Sequence, residues 1–287
     1  MRIANLKDYE LIDTSSGERL ERWGNIILIR PDPQIIWKTP KINPLWKKAH
    51  AIYHRSKSGG GYWEKLKQIP DSWQIQYNNL TFNLKPMGFK HTGIFPEQAV
   101  NWDFAKEKIL KSKKKLKILN LFGYTGAASL SCAEAGAEVC HVDASKGMVT
   151  WARENAKSSK LEDKPIRWLV DDCIKFVERE IRRGNLYDGI IMDPPSYGRG
   201  PGGEIWKLEE KLFPFIQLCS KILNKDAEFL ILNSYTTGLS PAVMEYLLGV
   251  TIQKKFGGKV SSSEIGLLTS ETGLVLPCGS TAIWEKS

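Results

Sequence analysis

The chain has 287 residues with a formal net charge of +9; 42% are hydrophobic and 25% charged. That is the balance of an ordinary globular protein, and no apolar run approaches the roughly 20 residues that a membrane-spanning helix needs. The first ten residues carry Arg2, Lys7, Asp8 and Glu10 where a secretory leader would have an apolar core. A cytoplasmic protein without a membrane partner is expected, long enough for one large domain and one small one. Its excess of Lys and Arg favours polyanionic partners such as nucleic acid.

In chain order, residues 26–29 and 34–37 are short β-type runs separated by Pro31-Asp32-Pro33, which predicts a hairpin. Ser58-Gly59-Gly60-Gly61 reads as a flexible connection, and residues 63–84 mix aromatic and polar residues around an Asn78-Asn79 turn. Residues 1–86 are therefore expected to form a small β-rich domain. A helix is predicted over 97–110, where Val100, Phe104, Ile109 and Leu110 supply an apolar face. It leads into the basic run 111–117, which fits either a helix C-terminus with an exposed loop or contact with RNA.

From residue 117 onward, apolar runs of strand length (KILNLF, EVCHV, PIRWLV, DGIIM, EFLIL) alternate with helical segments. This predicts a parallel sheet covered by helices on both faces. The last two runs, 265–269 and 280–284, are joined by a loop too short for a crossover helix and should pair antiparallel. Residues 87–287 are thus expected to be an α/β, Rossmann-like domain with a seven-stranded, mostly parallel sheet. The five cysteines, Cys132, Cys140, Cys173, Cys219 and Cys278, are widely spaced, with no Cys-x-x-Cys pair or adjacent His cluster. They read as buried free thiols, and no metal site is expected.

Candidate site residues fall at the ends of the predicted strands. The first strand runs into Gly123-Tyr124-Thr125-Gly126, a turn whose glycines let backbone amides approach a ligand at the start of a helix. The second ends in Asp143, about 20 residues past the glycines, where a doubly wound fold places an acid for a ribose hydroxyl pair. The third runs into Asp171-Asp172-Cys173, where a carboxylate and the following amide can read an adenine edge. The fourth ends in Asp193-Pro194-Pro195-Ser196-Tyr197. All lie at the carboxyl ends of parallel strands, the edge where open α/β sheets bind ligands. A full Gly-x-Gly-x-x-Gly fingerprint is missing, which disfavours a nicotinamide dinucleotide.

The segments HTGIFPEQ (91–98), NLFGYTGAASL (120–130), VDASKGMVTWARENA (142–156), DDCIKF (171–176) and DPPSYGRG (193–200) resemble those of class I S-adenosylmethionine-dependent methyltransferases. More narrowly, they resemble the bacterial ribosomal RNA large-subunit methyltransferase family that contains the 5-methylcytosine and 7-methylguanine enzymes. The resemblance covers residues from about 88 to the C-terminus. It implies S-adenosylmethionine as cofactor and a site built around Asn120, Phe122, Gly123, Thr125 and Gly126, with Phe122, Gly123 and Gly126 at the methionine end. Asp143 and Ala144 would lie at the ribose, Asp172 and Cys173 at the adenine, and Asp193 near the methyl sulfonium. Phe95 and Gln98 would close over the cofactor.

The chain departs from the family pattern in two ways. The PUA module that many relatives carry ahead of the β-rich region is expected to be lacking, which shifts substrate recruitment to the small domain or the basic surface. Residues 232–236, after the fifth strand, read Leu-Asn-Ser-Tyr-Thr, without the thiol that covalent activation of a cytosine C5 requires. An Asp-Pro-Pro segment followed by an aromatic suits a planar nitrogen acceptor instead, with Asp193, Pro194, Pro195 and Tyr197 as catalytic candidates. The expected function is methylation of a base nitrogen in ribosomal RNA. A protein or small-molecule nitrogen, or non-catalytic RNA binding on the same fold, are the alternatives.

Overall fold

Residues 1–56, 60–200, 202–236 and 238–286 are described by the structure, a computed structural model; part of the expected flexible connection, Ser58-Gly59, lies outside the described residues. The chain divides into two compact units. One comprises Ile3–Ala99 and Gly266–Cys278, and the other Met1–Arg2, Val100–Ile265 and Gly279–Ser287. The expected boundary at 86/87 falls inside the first of these.

After the short β1 (Arg2–Ala4), the smaller unit carries β2 (Tyr9–Ser15), β3 (Glu18–Trp23), β4 (Ile26–Pro31), β5 (Ala51–Arg55) and β6 (Gly61–Lys65), joined in that order as a five-stranded sheet. The hairpin β7 (Trp73–Tyr77) and β8 (Leu80–Leu84) turns at Asn78-Asn79, with Asn78 at φ 52°. The hairpin expected over 26–37 does not form. Asp32 Oδ1 accepts from the Gln34 amide at 3.0 Å and the Ile36 amide bonds back to the Gln34 carbonyl at 3.0 Å, so these groups are used within the turn. β4 instead pairs antiparallel with β3 and parallel with β5. Ile12, Leu20, Ile27, Ile29, Trp46 and Ala49 form a core here. Beside it Arg30 makes a two-pronged ion pair with the buried Glu21, at 2.5 and 2.7 Å.

The larger unit begins with α1 (Ala99–Lys111), then alternates: β9 (Lys117–Leu121), α2 (Ala127–Glu134), β10 (Glu138–Asp143), α3 (Lys146–Ser158), β11 (Ile166–Val170), α4 (Cys173–Arg183) and β12 (Gly189–Met192). A small hairpin, β13 (Tyr197–Arg199) and β14 (Ile205–Lys207), precedes α5 (Leu208–Cys219), β15 (Phe229–Ser234) and α6 (Pro241–Leu248). The chain closes with β16 (Lys259–Leu268) and β17 (Val275–Glu285). The sheet order is β1-β16-β17-β15-β12-β9-β10-β11, with β15, β12, β9, β10 and β11 parallel and β17 antiparallel to β15. The fold is therefore the expected Rossmann-like α/β class. It has eight strands rather than seven, because the three residues of β1 add an edge that is too short to show as an apolar run.

Successive strand residues point to opposite faces, and both faces are buried. Leu119, Leu121, Ile190, Met192, Leu230 and Leu232 pack with residues of α4, α5 and α6 on one side. Ile118, Val139, Ile191, Phe229 and Ile231 pack with residues of α1 and α2 on the other. The continuous apolar runs of the sequence are this two-sided burial.

Candidate active site

The chain moves outward from β9 through β10 to β11, then returns to the other side of β9 as β12. The adjacent pair β9 and β12 is thus the topological switch point, where the connections leave in opposite directions and open a crevice at the carboxyl edge. Leu121 lies opposite Met192 in this pair, so the turn after β9 and Asp193 after β12 emerge side by side. Met192 is also opposite Leu232, which brings Asn233 beside Asp193.

The turn after β9 adopts the left-handed region at Phe122 (φ 57°), Tyr124 (φ 51°) and Gly126 (φ 85°). For Phe and Tyr this conformation costs of the order of 1–2 kcal/mol each, so the surroundings must hold it. Asp143 does so from the end of β10: one carboxylate oxygen accepts from the Tyr124 amide and the other from the Ser145 amide, both at 2.8 Å. Burial pushes the Asp143 carboxyl above its ordinary value, while these two amides pull the other way. Below the turn, a β-carbon on Gly123 would lie 2.4 Å from the His141 ring, so only glycine fits.

His141 is buried, and burial lowers its pKa to about 3, leaving a neutral ring. Asn120 Nδ2 donates to Ser129 Oγ at 2.8 Å, and Ser129 Oγ lies 3.0 Å from His141 Nδ1, within hydrogen-bond distance of the ring. Asn120 thereby acts under the site rather than at its surface. Thr125 is also buried, its carbonyl accepting from Asn155 Nδ2 at 2.9 Å. Ala144 is half-buried beside Asp143.

Asp172 caps α4, its Oδ1 accepting from the Lys175 amide at 2.9 Å. The Asp171 amide bonds to the Asp143 carbonyl at 3.0 Å, so the two acidic strand ends are neighbours along the sheet edge. The Cys173 thiol is buried in the core and burial holds its pKa well above the ordinary value. What Cys173 offers a ligand is its backbone amide in the first turn of α4. The Phe122 ring packs on Trp206 and Phe215, with centroids at 5.0 and 5.9 Å. Trp206 Nε1 in turn donates to the Pro195 carbonyl at 2.6 Å, tying the segment after β12 to the cluster behind the turn.

Asp193 Oδ1 accepts from Asn233 Nδ2 at 2.9 Å. Pro194 is buried, Pro195 is exposed, and Tyr197 is 53% exposed, its ring available to a planar ligand. Ser196 Oγ lies 2.6 Å from Thr236 Oγ1, joining the loops after β12 and β15. Phe95 and Gln98 belong to the other compact unit, at the single turn Pro96–Gln98, where Phe95 packs edge-on to His91 at 5.0 Å.

The sequence pattern of the S-adenosylmethionine-dependent methyltransferase family matches residues 46–207. The chain belongs to that family. The crystal structure of the SAM-dependent methyltransferase from Agrobacterium tumefaciens is 38% identical and superimposes with a TM-score of 0.95, covering 100% of this chain and 93% of that one. Among curated relatives, the ribosomal RNA large subunit methyltransferase K/L of Pseudoalteromonas atlantica is 28% identical over 199 residues, 69% of this chain and 27% of the relative. That of Colwellia psychrerythraea is 24% identical over 204 residues, 70% of this chain and 28% of the relative. The chain thus spans little more than a quarter of the length of these two relatives.

The residues present fit the cofactor of an S-adenosylmethionine-dependent methyltransferase. Each Asp143 oxygen carries one amide and keeps a second acceptor position for a hydroxyl. Among the described residues no side chain caps the start of α2, which follows the turn at that same edge. Sequence reading missed the supports: His141 and Ser129 beneath the turn, Trp206 on Pro195, and Asn233 on Asp193. The available signal was a polar residue inside an apolar strand run, His141 in EVCHV and Asn233 after EFLIL.

Proposed function

We propose that this methyltransferase modifies a nitrogen of a base in ribosomal RNA. The observation that carries the reading is the segment 193–197 at the switch point, where a carboxylate held by Asn233 is followed, four residues on, by an exposed aromatic ring. When bound, S-adenosylmethionine supplies a methyl group on a sulfonium that leaves as a neutral thioether. The protein then has to align the acceptor in line with that methyl group, which is chiefly positioning. Asp193 accepts a hydrogen bond from the acceptor base and fixes its rotation. Pro194 and Pro195 have no amide hydrogen, so neither adds a competing backbone donor beside Asp193. Tyr197 stacks on a base turned out of its helix.

The net charge of +9 and the names of the two curated relatives support an RNA substrate. A nitrogen rather than a cytosine C5 is supported by the cysteines, all five of which are free and buried. Residues 232–236 hold no thiol that could add to a pyrimidine ring. The test is transfer of labelled methyl from S-adenosylmethionine to protein-free large-subunit ribosomal RNA, followed by digestion to nucleosides and mass spectrometry. An N-methylated base is expected. Label appearing only in 5-methylcytosine, or only in added protein, would overturn the proposal.

A further inference from the structure

Asn233 is itself the last member of a line of hydrogen bonds that runs in one direction. The Arg2 guanidinium donates to Asn101 Oδ1 at 2.7 Å and to the Val100 carbonyl. Asn101 Nδ2 donates to Thr281 Oγ1 at 3.2 Å, the Thr281 hydroxyl donates to Asn233 Oδ1 at 2.6 Å, and Asn233 Nδ2 donates to Asp193 Oδ1 at 2.9 Å. Asn101, Thr281 and Asn233 are each no more than 2% exposed. The antiparallel register of β15 and β17 sets Asn233 directly opposite Thr281.

The direction has a physical origin. A primary amide can face two ways, but a guanidinium has only donors, so Arg2 turns the Asn101 oxygen toward itself and the nitrogen toward Thr281. Thr281 has one hydrogen, and with its oxygen already accepting from Asn101 that hydrogen goes to Asn233 Oδ1. Asn233 is left with its NH₂ group facing Asp193. Turned over, it would set a carbonyl oxygen against the carboxylate. In a buried chain each link polarises the next, so the arrangement is held as a unit.

We infer that Arg2, Asn101 and Thr281 are positioning residues for methyl transfer: they fix the Asn233 amide so that it donates to Asp193 and holds that carboxylate toward the acceptor. The inference rests on the proposed role of Asp193 at the acceptor base. None of the three touches the reacting atoms in this scheme, and none belongs to the cofactor turn.

The test uses Thr281→Val, which keeps the shape and removes the hydroxyl, Thr281→Ser, which restores it, and Arg2→Met, which removes the initiating donor. Steady-state methylation of protein-free large-subunit ribosomal RNA is measured with each, alongside S-adenosylmethionine binding by calorimetry. T281V is expected to lower kcat by about tenfold, in line with small misplacements of a reacting group, with cofactor affinity within about twofold of wild type. T281S should recover the rate, and R2M should fall between. In an Asp193→Asn background T281V should have no further effect on the residual rate. Independently of activity, the side-chain amide resonances of Asn233 in ¹H–¹⁵N spectra should move in T281V and R2M and stay in place in T281S. An unmoved Asn233 amide in T281V, or the same fractional loss in the D193N background, would overturn the inference. A fully active D193N would instead overturn the role of Asp193, while the Asn233 resonances still decide the relay.

Discussion

A β-carbon at Gly123 would lie 2.4 Å from the His141 ring, and that ring is pinned through Ser129 by Asn120. Gly123→Ala therefore has to move a buried side chain or the cofactor turn, at about 1–3 kcal/mol for overpacking. Thermal unfolding together with calorimetry should show both lower stability and weaker S-adenosylmethionine binding. His141 also makes stability depend on pH. Its pKa falls from the ordinary 6.5 to about 3 in the folded chain. The unfolded chain therefore binds a proton the folded one refuses, and stability is lost as pH drops through that window. His91, also lowered to about 3 by burial and neighbouring cations, acts in the same sense. His141→Asn should flatten part of this slope in melts between pH 7 and pH 4. The glycines and strand-end acids were legible because each sits at a fixed offset from an apolar run. His141, Asn101 and Thr281 were not, because their roles depend on which strand or helix lies next to them.

At the scale of elements, Asp172 has two separable jobs. As the first cap of α4 it accepts from the Lys175 amide at 2.9 Å, and loss of such a cap costs about 1 kcal/mol. As a carboxylate beside Asp143 it is proposed to meet the adenine. Asp172→Ser keeps a capping oxygen and should leave the melting temperature near wild type while weakening cofactor binding; Asp172→Ala should lose both. The parallel strands and their helices were readable because two-sided burial writes them as unbroken apolar runs. The last two strands were readable only in part. β16 (Lys259–Leu268) and β17 (Val275–Glu285) extend well beyond the apolar cores at 265–269 and 280–284, since β16 starts with Lys and Ser residues on a half-exposed stretch. The expected hairpin at 26–37 failed because a side-chain-capped turn took the backbone groups that a second strand would have used.

For the molecule as a whole, the sheet has two edges with different charge chemistry. The basic run 111–117 leads into the amino end of β9, opposite the edge that carries Asp143, Asp172 and Asp193. Its lysines meet acids there: Lys114 bonds Asp188 ahead of β12 at 2.8 Å, and Lys115 meets Glu138 at the start of β10 at 3.0 Å. The helix-end reading of that run is the one the topology favours. Lys113→Ala with Lys115→Ala should leave RNA affinity within about twofold, measured by filter binding at fixed salt, because these charges do not face the catalytic edge. The central claim is narrower than the choice of RNA: the cofactor sits at the carboxyl ends of β9, β10 and β11. It is tested most directly by calorimetric titration of S-adenosylmethionine into wild type, Asp143→Ala and Asp172→Ala. Binding by wild type that is lost in D143A and weakened in D172A is the expected result; no binding by folded wild type, or equal binding by all three, would contradict it.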